Sequence, residues 1–138
     1  FLGDTGSLLL GLLIAVEVIQ YNEFALATTP QEISFSPVFS LAILATPLAD
    51  MIRVFAIRIY NGKSPFAPDM NHIHHRLLKL GFSHFNSTLI IVLTNGFIIT
   101  LAFAFRFLNK HALMALLIVV IFLLLQLPDF FHKRKQKV

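Results

Sequence analysis

The sequence has no cysteine. It can form no disulfide and no thiolate metal site, which excludes disulfide-stapled scaffolds and cysteine-type zinc fingers and leaves the redox compartment unreadable. Charge is scarce as well: 13% of the 138 residues are Asp, Glu, Lys or Arg, against 57% hydrophobic, and the mean hydropathy is strongly positive. A soluble domain carries about 25% charged residues, so water cannot be the solvent throughout. Acidic residues are fewer than basic ones, 7 against 11, and every aspartate stands alone in the sequence. The basic excess does not argue for nucleic acid, because in so apolar a chain loop lysines and arginines report the inner face of a membrane. There is no internal repeat and no low-complexity linker, and the length suits one unit rather than two full-sized domains. The opening Phe1-Leu2-Gly3 lacks the basic stretch and cleavage site of a leader, and the chain is expected to be the C-terminal part of a larger polytopic protein.

What is present is a series of apolar runs. A helix needs about 20 residues to cross the hydrocarbon core at about 1.5 Å per residue. Four stretches approach this: residues 7–21, interrupted by Glu17; 38–59, which carries Pro47, Asp50 and Arg53; 86–105; and 112–127, followed by Pro128 and a basic tail, 128–138. They predict an all-α membrane protein of about four transmembrane helices in one domain, 1–138, with a polar loop, 60–85, between the second and third spans. Nine of the eleven Lys and Arg fall on one side: Arg53, Arg58, Lys63, Arg76 and Lys79 around this loop, and Lys133, Arg134, Lys135 and Lys137 in the tail. The connection 22–36 carries Glu23 and Glu32 and no base. The positive-inside rule therefore puts the loop and tail in the cytoplasm and 22–36 outside. Alternation returns Gly3-Asp4-Thr5-Gly6-Ser7 to the face of the loop.

Asp4 lies between glycines just before an apolar helix. It reads either as a helix cap or as a carboxylate that helps hold a divalent cation or a phosphate-bearing substrate. In the loop, Lys63-Ser64-Pro65-Phe66-Ala67-Pro68-Asp69 forms a stiff turn, because each proline fixes itself and restricts its predecessor. It feeds His72-Ile73-His74-His75-Arg76-Leu77-Leu78-Lys79-Leu80-Gly81, a short helix stopped by Gly81, on which His72 and His75 share a face near Arg76 and Lys79. Three readings stand side by side: an anion site, an interfacial helix with Ile73, Leu77 and Leu80 on lipid, and a zinc site on the imidazoles. Asp50 and Arg53, three residues apart, suit a partly buried ion pair that is either functional or a packing device. The tail suits anionic lipid.

Taken together, these stretches resemble the polyprenyl-phosphate N-acetylhexosamine-1-phosphate transferases. Phe1-Leu2-Gly3-Asp4-Thr5-Gly6-Ser7 is similar to the family's Gly-Asp-x-Gly-Ser segment, Pro47-Leu48-Ala49-Asp50 to its Pro-x-x-Asp motif, and Lys63 through Leu77 to its Ser-Pro-Phe-x-x-Asp, His-x-His-His-Arg loop. The resemblance implies transfer of an N-acetylhexosamine 1-phosphate, N-acetylglucosamine 1-phosphate in the first instance, from a UDP-sugar to undecaprenyl phosphate with release of UMP. It places the chain in a bacterial plasma membrane, in cell-wall or surface-polysaccharide synthesis such as that of lipopolysaccharide. It implies Asp4 as catalytic residue and ligand of Mg2+, with Mn2+ as the alternative, and Ser64, Asp69, His72, His74, His75 and Arg76 as contacts for the UDP-N-acetylhexosamine; Asp50 and Arg53 stay unassigned. Partners are the two substrates, membrane lipid and a second copy of the chain, with no nucleic acid. The family's Asp-Asp segment is absent from the sequence, so the chain alone is expected to be inactive. The competing reading is a small helical membrane protein that binds or transports metal through the histidine loop.

Overall fold

The computed structural model describes residues 3–28, 30–66 and 72–135, without the side chains of residues 3, 4, 7, 31–34 and 129–135. Within them the chain is helical: α1 (Gly3–Leu26), α2 (Pro30–Ile43), α3 (Ala45–Tyr60), α4 (Ile73–Lys79), α5 (His84–Ala104) and α6 (Lys110–Lys135). Stretches of α1, α5 and α6, namely Leu8–Leu26, His84–Ala104 and Lys110–Pro128, are long and apolar enough to cross a membrane. Leu8, Leu12, Ile19, Val92, Leu93 and Phe122 lie exposed on these helices, as lipid-facing side chains do in a multi-pass membrane protein.

The stretch expected as a second span, 38–59, is not one straight helix. α2 and α3 meet at 67° around Leu44. The cause is Pro47, which has no N–H to give the Ile43 carbonyl four residues back. Asn95, on α5, repairs the gap: its Nδ2 donates to the Ile43 carbonyl (3.1 Å), and its Oδ1 accepts from the Thr46 N–H (3.3 Å) and the Thr46 hydroxyl (2.9 Å). The Ile43 carbonyl and both Thr46 groups thus have partners, as apolar surroundings demand.

Two other boundaries move. The expected outer connection, 22–36, is largely taken up by helix: α1 runs on to Leu26 and α2 starts at Pro30, whose fixed φ suits a first helical position. Asn22 of α1 reaches the Ser40 hydroxyl of α2 (2.7 Å) and ties the two together. α6 does not end at Pro128 but passes through it to Lys135.

α3 and α4 stop by the same device. Gly62 (φ 69°) and Gly81 (φ 98°) take the left-handed conformation that favours glycine. Lys63 and Phe82 then donate back to the carbonyls of Arg58 (2.9 Å) and Leu77 (3.3 Å), closing a Schellman cap at each end. The core is built on α6, whose Leu113, Leu117, Ile121 and Leu125 recur every fourth residue and pack on Val38, Ala42, Ala45, Ile98 and Ala102. The small alanines let the backbones approach closely. Ile73 and Leu77 of α4 join this core, so they face protein and not, as the interfacial-helix reading expected, lipid.

Candidate functional site

The buried stripe of α3 is Thr46, Asp50, Val54 and Arg58, one turn apart each, and two of its members hold the histidine loop. Arg58 donates through Nη1 to the Pro65 carbonyl, and Phe66 sits edge-on against Phe55 with ring centroids 5.6 Å apart. Asp50 grips the far end. Its Oδ1 accepts the Ile73 backbone N–H (2.9 Å), and its Oδ2 lies 2.9 Å from His72 Nδ1.

This geometry revises two expectations. His72 is not on the helix beside His75: it is the extended residue just before α4 (φ −60°, ψ 152°), because Asp50 takes the first N–H of the helix in place of a local cap. Asp50, expected to pair with Arg53 one turn on, instead spends both oxygens on a segment more than twenty residues away. A carboxylate only accepts, so Nδ1 of His72 carries the hydrogen and Nε2 is left for an outside group. The Asp50 side chain is nearly closed off, 10% exposed, whereas that of His72 is 45% exposed. The arrangement is a buried carboxylate that fixes the tautomer and pose of an accessible imidazole.

The other sequence candidates scatter around it. His74 and His75, both half-buried, follow on α4 with ring centroids 5.8 Å apart. His74 Nε2 lies 3.3 Å from Nδ1 of His84, at the start of α5. Arg76 is buried and donates to the Leu125 carbonyl of α6 (2.9 Å), in the turn that Pro128 interrupts. Ser64 stays exposed, its hydroxyl accepting from the Phe66 N–H (3.4 Å). Arg53 is half-buried in the wall of a groove of about 750 Å³ between α3 and α6, lined by Leu48, Ala49, Ile52, Ile121 and Phe122. Asp69 lies outside the described residues, and of Asp4 only the backbone, in the first turn of α1, is described. Among the described residues no three of His, Cys, Asp and Glu come together around a common centre. Asn95 and His84 were missed by the sequence reading; a polar residue inside an apolar span and a further histidine just past the loop were the available signals.

A multi-pass helical membrane protein with a histidine-bearing helix latched to a broken span is the class that fold and site define. No protein-family model and no solved structure matches the chain. Curated relatives do. The chain is 37% identical over 93 residues to the undecaprenyl-phosphate alpha-N-acetylglucosaminyl 1-phosphate transferase of Salmonella typhi, covering 67% of this chain and 24% of that protein. It is 31% identical over 124 residues to the enzyme of the same name from Escherichia coli K12, covering 90% and 32%. It is 35% identical over 103 residues to the decaprenyl-phosphate N-acetylglucosaminephosphotransferase of Mycobacterium leprae, covering 71% and 26%. The chain belongs to this family of polyprenyl-phosphate N-acetylhexosamine-1-phosphate transferases, and spans about a quarter to a third of the length of these relatives.

Proposed function

We propose that this chain supplies the nucleotide-sugar side of a site that transfers N-acetylglucosamine 1-phosphate from a UDP-sugar to undecaprenyl phosphate, releasing UMP, at the cytoplasmic face of a bacterial plasma membrane. The observation that carries the reading is the hold of Asp50 on both His72 and the first N–H of α4. It sets one imidazole in a fixed pose at the mouth of the loop, with Nε2 turned over to the substrate. Protonated, His72 donates to a diphosphate oxygen; neutral, it accepts from a sugar hydroxyl or amide. Either contact orients the donor, and a contact that strengthens as charge builds on the phosphate lowers the barrier. His74 and His75 follow on the same short helix and extend the polar surface. The apolar groove between α3 and α6 suits the polyprenyl chain of the acceptor, with Arg53 in its wall.

Magnesium is assigned to Asp4 by resemblance. The described residues assemble no cage of oxygen ligands, and imidazoles and guanidinium groups do not suit this ion. No step is derived through it. The test is transfer of labelled N-acetylglucosamine phosphate from its UDP-sugar to undecaprenyl phosphate by membranes carrying the full-length protein. Asp4→Asn abolishes transfer and His72→Ala cuts it severely, both with unchanged membrane insertion. Wild-type rates in both variants would remove the assignment.

A further inference from the structure

Outside the Asp50–His72 latch, a second pair of ring nitrogens faces each other across the turn that joins α4 to α5. His74 Nε2 and His84 Nδ1 are 3.3 Å apart, and the ring centroids 5.4 Å apart. Two imidazoles on one tetrahedral Zn2+, each bound at about 2.0–2.1 Å, hold their nitrogens about 3.3–3.4 Å apart. The spacing already present is the spacing of a shared metal. We propose that His74 and His84 form a binding site for a borderline divalent transition metal, zinc foremost, that clips α4 to the first turn of α5.

Two features pre-form the site. The turn between the rings is fixed from both sides, by the Schellman cap at Gly81 and by Ser83, whose hydroxyl accepts from the Asn86 N–H (3.2 Å) at the start of α5. The ligands are therefore set by backbone geometry and not by chance meeting of long side chains, which lowers the entropy lost on binding. The contact is also exposed, so two coordination positions stay open to water or to a phosphate oxygen. Without metal, one ring donates its N–H to the other. Binding moves that hydrogen to the ring's other nitrogen, leaving His74 protonated at Nδ1 and His84 at Nε2 with no net proton released. The His75 ring lies beside that of His74, with centroids 5.8 Å apart, but among the described residues no three of His, Cys, Asp and Glu converge on one centre, so the site is an open two-imidazole clip and not a closed structural centre. Imidazole ligands select zinc, nickel and copper over magnesium, so this ion is a different one from that assigned to Asp4.

The site stands independently of the transfer reading and is tested without an activity assay. The full-length protein, purified in detergent without a polyhistidine tag, is titrated with Zn2+ by calorimetry. One zinc per chain is expected, with binding weakened at least about tenfold in His74→Asn and in His84→Gln alike, the least that loss of even a ligand's supporting partner costs. His111→Gln, on the far turn, leaves binding unchanged. Copper bound to the same protein shows two coupled imidazole nitrogens in its electron paramagnetic resonance spectrum, falling to one in either variant. Equal zinc binding by wild type and both variants, or copper coupled to a single nitrogen in the wild type, would overturn the proposal.

Discussion

Pro47 and Pro128 each remove a backbone N–H from a helix in apolar surroundings, yet α2 and α3 part at 67° whereas α6 runs through its proline to Lys135. The difference lies in where the proline falls and, at Pro47, in the neighbour that answers it. Pro47 is the third residue of α3, a position whose N–H a new helix does not need, so the chain can restart there in a new direction. Asn95 presents an acceptor and a donor together and satisfies both sides of the gap. Pro128 falls in the last third of a long helix and withholds an N–H from the Leu124 carbonyl, while Arg76 donates to the next carbonyl along, that of Leu125. The broken case points α3 so that Asp50 meets α4; the unbroken case anchors α4 from its other side. The histidine helix is thus held between two proline defects.

Each half of this comparison can be broken. The largest effect is expected from Asn95→Leu, which strands the Ile43 carbonyl and both Thr46 groups and lowers unfolding stability by about 2–3 kcal/mol in detergent. Arg76→Met should cost about 1–2 kcal/mol by the same measurement. Loss of transfer with full stability in this variant would favour the substrate contact that the loop motif implies for Arg76. Pro47→Ala restores the missing N–H, so on the Asn95→Leu background it should regain about 1 kcal/mol, a coupling read from the double-mutant cycle. Thr46→Val removes one hydroxyl bond and keeps the backbone one, for about 0.5–1 kcal/mol, the smallest of the series.

The same residues mark what the sequence made legible. The third span, the approximate extent of the first and fourth, and the short helix ending at Gly81 follow from local signals: apolar length, and a glycine free to take positive φ. The break at Leu44 does not, because a proline near a span is compatible with a kink, a break or an end until its repair is known, and that repair comes from Asn95, about fifty residues on. The loop motif singled out His72, and the motif in the second span singled out Asp50, but their pairing depends on the 67° bend. Arg76 read as an anion contact from its charge and its place in the loop motif; only the position of α6 shows its guanidinium buried, with a bond to a backbone carbonyl. Local chemistry was readable, and the partnerships between distant segments were not.

The most direct test of the account is a kinetic cycle on Asp50 and His72 in the full-length enzyme, with kcat/KM for the UDP-sugar as readout. Asparagine at position 50 can still accept the Ile73 N–H but turns a donor toward His72, forcing the other tautomer. Asp50→Asn and His72→Ala should each lower kcat/KM on the order of 10²-fold, and the double variant should fall no further. Near wild-type transfer by Asp50→Asn, or fully additive losses, would contradict the claim that Asp50 acts through His72.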